Sequence, residues 1–132
     1  MLDTYLDSIK IAFVKAFDFK SRAPRAQFWN FYIFTMVVGL LTLQIDLYFN
    51  LRIIEIVMPT SGEIIIGHFY IFSYFLFFIP SFSLYVRRLH DVDKSGWWLL
   101  IMLIPFIGII TISFFWLLKG NEKNNKYGKP IN

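Results

Sequence analysis

The stretch VRRLHDVDKSGWW, Val86 to Trp98, gathers two arginines, a histidine, two aspartates, a lysine and a serine between two long apolar runs. Its residue types suit acyl transfer, with His90 as base, Asp91 as orienting carboxylate and Ser95 as nucleophile. The spacing does not suit it. Adjacent helical residues face different ways, so Asp91 would not hold the His90 ring. No Gly-x-Ser-x-Gly elbow surrounds Ser95, which stands just before an apolar run where a helix N-cap belongs. No catalytic residue, and no enzyme, is expected. A metal centre is not expected either. The chain has no cysteine, and its two histidines, His68 and His90, are separated by about 33 Å if the segment between them is one helix. No cofactor motif is present.

A second chemistry fits better. Arg87 and Arg88 fall where a membrane-crossing helix would end, and cations there complement the helix dipole and anchor the interface. Asp91 is within helical reach of both. DVDKSG makes a turn, Ser95 caps the next helix, and Trp97 and Trp98 anchor it at the same level. Arg22 and Arg25 come before the first apolar run and would share that membrane face. Planar guanidinium groups bind phosphate or carboxylate through paired donors. Arg22, Arg25, Arg87 and Arg88 are therefore the expected contact for an anionic lipid head group or an acidic partner protein. A nucleic acid is not an expected ligand, because no aromatic-basic groove lies outside the apolar runs.

The elements that must position these side chains are apolar. Of 132 residues 57% are hydrophobic, 16 are phenylalanine and only 17% are charged, too few for a soluble chain of this length. The expectation is an all-α integral membrane protein of one domain. Residues 1–19 read as an amphipathic helix, with Leu2, Tyr5, Leu6, Ile9, Phe13, Ala16 and Phe17 on one stripe, lying in the interface or packed on the other helices. The charges along it leave no apolar core for a secretory signal. Three hydrophobic segments follow, at 28–49, 64–86 and 97–118, then a polar tail at 119–132. Asp46 is expected to act as an interfacial cap, Arg52 and Glu55 to pair if helical, and Pro59 with TSG to turn. Pro80 should kink the second segment, with Ser81 or Ser83 satisfying the freed carbonyl.

Orientation follows from the basic residues. Lys10, Lys15, Lys20, Arg22 and Arg25 precede the first segment, Arg52 alone lies between the first and second, and Arg87, Arg88 and Lys94 lie between the second and third. The N-terminus is thus expected in the cytoplasm of a bacterial cell, in a multi-pass inner-membrane protein. The tail, with Lys119, Lys123, Lys126 and Lys129, does not fit three full crossings. Pro105 and Gly108 allow two arrangements: a crossing kinked at Pro105 with the tail outside, which is the favoured expectation, or a re-entrant hairpin that returns the tail to the cytoplasm.

RRLHDVDKSGWW, followed by IPFIG and NKYG, resembles the domain-of-unknown-function 805 family of bacterial inner-membrane proteins. The matching positions are Arg22, Arg25, Phe28 and Trp29; Arg87, Arg88, His90 and Asp91; Ser95 to Trp98; Pro105 and Gly108; and Asn125, Tyr127 and Gly128. Ser21 stands where the family carries glycine and Gln27 where it carries glutamate. The resemblance implies an integral membrane protein and supplies no activity. The expected function is a small structural or interaction protein of the membrane, alone, as a homo-oligomer or with a partner membrane protein. The alternative is a subunit of an oligomeric transporter or channel. A single chain is a poor conduit, since its segments offer uncharged polar groups such as Asn30, Thr42 and Ser73 rather than charges.

Overall fold

A computed structural model describes residues 2–58 and 62–131. In chain order the elements are α1 (Leu2–Val14), α2 (Arg25–Tyr48), β1 (Arg52–Met58), β2 (Gly62–Gly67), α3 (His68–Asp91), a 3-10 helix (Gly96–Leu103) and α4 (Ile107–Leu117). Helix predominates, as expected, but the all-α reading missed the antiparallel pair β1–β2. Arg52 therefore lies on a strand rather than on a helix, and its Nε donates to Asn50 Oδ1 at 2.6 Å. The second apolar segment loses Ile64–Gly67 to β2 and continues to Asp91. The turn expected at Pro59 lies partly outside the described residues.

α2 and α3 have 24 residues each and are long and apolar enough to cross a membrane, about 36 Å of helix apiece. The chain forms two compact units, Ile33–Phe78 and Met1–Tyr32 with Ile79–Asn132.

In the Ile33–Phe78 unit, Asp46 is fully buried near the end of α2. Its Oδ1 accepts from Phe69 N at 3.1 Å and its Oδ2 from Tyr70 N at 2.8 Å. These are first-turn amides of α3, which have no partner inside their own helix. Asp46 is thus a cap, as expected, though for the neighbouring helix. A Cβ on Gly67 would collide with it, so glycine is needed there. Farther along, Thr42 Oγ1 meets Ser73 Oγ at 3.3 Å while each hydroxyl also reaches a carbonyl of its own helix. The large side chains Met36, Val37, Leu40, Phe72, Phe75 and Leu76 are exposed, as lipid contact requires. Asp46→Ala should cost about 1–2 kcal/mol, measured by thermal unfolding in detergent, because two α3 amides lose their acceptor. Stability equal to wild type would show that solvent caps α3 equally well.

In the other unit, α1 meets α2 through Ser8 and Phe13. Ser8, Ala12 and Ala16 are buried, while Leu6, Val14 and Phe17 face outward. Asn30 Nδ2 donates to Ser8 Oγ at 3.1 Å, and the Phe13 and Phe31 rings meet edge to face. Ser83 Oγ approaches Lys15 O and Asp18 O, so it fastens the α1–α2 linker rather than relieving Pro80.

The third apolar segment is not a kinked crossing. It is a hairpin. The 3-10 helix and α4 run back along each other, with the Trp98 and Phe115 rings 5.2 Å apart. Val86, Leu89, Leu99 and Ile112 form the buried cluster that seats the hairpin on the end of α3. The reversal follows from its sequence. Pro105 cannot donate a backbone hydrogen bond, Phe106 takes a left-handed φ of 63°, and Gly108 lies against the backbone of Ile101 and Met102 where no Cβ fits. The turn backbone is paired within itself: Gly108 N donates to Ile104 O at 2.9 Å and Ile110 N to Phe106 O at 3.0 Å. The arms, 8 residues of 3-10 helix and 11 of α-helix, are each about 16 Å long, half a hydrocarbon core. Ser95 caps the first arm as expected, its hydroxyl accepting from Trp97 N at 3.4 Å.

Candidate functional site: a buried arginine–aspartate cluster that holds the tail

The linker between α1 and α2 runs beside the end of α3. Asp18 N-caps its own turn, accepting from the amides of Lys20 and Ser21 and from the Ser21 hydroxyl. Burial alone would raise the Asp18 carboxyl. Those three donors and the Arg87 charge outweigh it and hold the group down at about 2. Beyond it, Ala23 N donates to Arg87 O at 3.1 Å, and the side chain before it, Arg22, is buried.

Arg22, Arg88 and Asp91 then form one cluster, each no more than 3% exposed. Arg22 meets Asp91 Oδ1 through Nε at 3.0 Å and NH2 at 2.9 Å. Arg88 NH1 pairs with Asp91 Oδ2 one turn away on α3. One carboxylate thus serves two guanidinium groups and both its oxygens are used.

The remaining donors go to carbonyl oxygens. Arg88 donates to Trp116 O, at 3.3 Å from Nε and 3.2 Å from NH2, and to Leu118 O. Arg25 reaches Leu117 O at 3.4 Å. These are the last carbonyls of α4, which carry the negative end of the helix dipole and lack helical partners. Arg22 reaches past them to Asn121 O, Lys123 O at 3.1 Å and Gly128 O at 3.2 Å. The tail answers with its own donors. Asn121 N donates to Asp91 O at 2.8 Å and Asn125 Nδ2 to His90 O at 2.9 Å. Asn125 and Gly128 close a tight turn, with Gly128 at a φ of 118°, and Tyr127 stacks flat on His90 at 3.6 Å. Gly120 packs on the Asp91 carboxylate so closely that a side chain there would displace it.

The structure therefore brings together Arg22, Arg25, Arg88, His90 and Asp91. Of the four arginines expected to meet head groups, Arg22, Arg87 and Arg88 are buried within the protein and Arg25 is exposed. Arg87 is fully buried and none of its guanidinium nitrogens has a hydrogen-bond partner. Trp97 is 78% and Trp98 40% exposed, with Lys94 over the Trp98 ring at 5.9 Å. His90 does not meet Ser95. Its Nδ1 lies 3.2 Å from Ser21 O and its ring face is covered by Tyr127. Among the described residues no group of three or more His, Asp or Glu side chains is placed to hold a metal ion. Residue types could not announce Asn121, Lys123 and Leu118, because those residues contribute backbone oxygens.

Two membrane-length apolar helices, a hairpin of half-length arms and a polar tail held by a buried ion cluster describe a small membrane protein rather than a soluble domain. The family described as "Protein of unknown function (DUF805)" matches residues 16–129, and the chain belongs to that family. It is similar to "Inner membrane protein YhaH" of Escherichia coli (strain K12), 34% identical over 131 residues that make up 96% of this chain and 94% of that one. It is also similar to "Inner membrane protein YhaI" of the same organism, 33% identical over 110 residues, 83% of this chain and 82% of the other. No solved structure matches the chain.

Proposed function

We propose that this is a multi-pass bacterial inner-membrane protein with a cytoplasmic N-terminus, without enzymatic activity, whose work is structural: it presents a basic cytoplasmic face to anionic lipid head groups or to an acidic partner. The observation that carries the reading is the bonding of the tail to Arg22 and Asp91. It gathers the lysines of the tail with those of the N-terminal linker in one unit. A hairpin that returns the tail would put the lysines of the tail on the side of the N-terminal basic residues, and the conflict with the positive-inside rule that a third crossing creates would not arise. The exposed residues Lys10, Lys20, Arg25, Lys119, Lys123, Lys126 and Lys129 are then available to a negative surface. The absence of an enzymatic role is supported by how the reactive groups are used. Asp91 is occupied by two arginines, His90 by Tyr127, and Ser95 by its cap.

The test is thermal unfolding in zwitterionic detergent micelles with and without phosphatidylglycerol. The midpoint should rise with the anionic lipid, and the rise should shrink as salt is added, since exposed charges are screened over about 10 Å at 0.1 M. Equal midpoints in both micelles would overturn the lipid reading. A reporter active only in the cytoplasm, fused after Asn132, should be active; silence there would place the tail outside.

A further inference from the structure

Beside the cluster is a cleft of about 180 Å³ between the start of α2 and the tail. Its polar walls are Arg22, Arg25, Asp91, Lys119, Asn121 and Glu122. We infer that this cleft is a single-occupancy site for a phosphate group, held between Arg25 and Lys119, and it rests on the reading of the basic face given above.

The charges of the cleft are unequal. Arg22 and Arg25 both lie within electrostatic reach of Arg88, and the buried carboxylate that pairs with Arg22 and Arg88 is Asp91. Arg22 and Arg88 consume both Asp91 oxygens, which leaves Arg25 with one long bond to a carbonyl. Its guanidinium is exposed and opens on the cleft. Lys119 also lines the cleft, and its partner Glu122 is as exposed as itself, 71% against 70%. Such a surface pair is worth little, so an anion that gains both cations can displace Glu122. Asp91 does not repel it strongly, because its charge is already covered twice. The cleft also opens at the first turn of a 24-residue helix whose first turn contains no acidic residue, so the helix field has the same sign as the side chains.

A tetrahedral phosphate suits this set. Arg25 offers paired donors in a plane, Lys119 a compact charge, and Asn121 a neutral lining. The phosphate could belong to a lipid head group or be free in solution, and both present the same oxygens. The site differs from general attraction to a charged surface in being saturable and in depending on these two cations rather than on the total charge.

The test uses the full chain in zwitterionic detergent, titrated in separate arms with inorganic phosphate and with short-chain phosphatidic acid, and followed by calorimetry. One saturable site per chain is expected in at least one arm. Response to both probes identifies phosphate itself as the ligand, and response to phosphatidic acid alone identifies a lipid head group. Arg25→Gln and Lys119→Gln should each weaken that site about tenfold or more, the loss of one charge-assisted contact. Arg52→Gln, an equal loss of charge on an exposed residue outside both the cleft and the basic face, should leave it within about twofold. Thermal unfolding of each variant checks that it is folded. No saturable site in either arm, or equal losses in all three variants, would overturn the inference. The salt-dependent gain in phosphatidylglycerol micelles could survive that result, so the two readings fail separately.

Discussion

Asp91→Asn should lower the stability of the protein by about 3–5 kcal/mol, the scale for removing one partner of a buried ion pair. Asp91 is 3% exposed and stands between Arg22 and Arg88, which are 2% and 0% exposed. The amide keeps the shape and loses the charge, so two guanidinium groups stay buried with no counter-ion. Neither can leave easily, because each also holds carbonyls of α4 or the tail. The loss should therefore appear in two measurements. The thermal midpoint in detergent should fall, and a cysteine placed at Lys126 should react faster with a polar maleimide as the tail loosens. The chain has no cysteine of its own to confuse the reading. Arg25→Ala, which removes an exposed group with one 3.4 Å bond, should change stability by less than about 1 kcal/mol. An Asp91→Asn protein as stable as the Arg25→Ala protein would mean that solvent reaches the cluster and that it does not hold the tail.

Most of the helical frame could be read from the chain, and the reason is local. Charge-free runs of spanning length mark α2 and α3, and Ser95 before an apolar run marks the start of the 3-10 helix. The strand pair was missed although its signal was there. Ile53, Ile54, Ile56 and Val57 and the run Ile64–Ile66 are β-branched, with Pro59 and Gly62 between them, but the apolar length of the second run reads equally as the start of a spanning helix. The cluster was visible only in half. Arg88 and Asp91 are three residues apart on one helix, and that spacing predicts the contact. Arg22 is 69 residues away from Asp91, and no spacing rule reaches that far. Nor can residue types show that an arginine will spend its donors on carbonyl oxygens. A reading that sees four arginines at one membrane level naturally sends them all to lipid. Burial separates them instead: three are enclosed and Arg25 remains for the surface.

The hairpin rests on one glycine, and Gly108→Val should open it. A Cβ at 108 would run into Ile101 O and the Cα of Met102, which are backbone atoms that cannot turn aside. Overpacking of that kind costs about 1–3 kcal/mol where side chains can yield, and here none is in the way to yield. Gly39→Ala is the matched control. Its Cβ would meet only Tyr70 Cε2, at 3.7 Å, and alanine in place of glycine within a helix gains about 0.5–1 kcal/mol. The geometry can be measured directly with Trp98→Cys and Phe115→Cys in the same chain. The two rings lie 5.2 Å apart in the hairpin, whereas a continuous helix would separate the positions by about 25 Å. A disulfide should form readily with Gly108 present and slowly with valine in its place. The tail should be affected with it, because the carbonyls that Arg88 holds belong to the end of α4. Faster maleimide labelling at position 126 in the valine variant would therefore accompany the lost disulfide. Efficient cross-linking in both backgrounds would show that Pro105 and Phe106 reverse the chain by themselves and that Gly108 only fills the space between the arms.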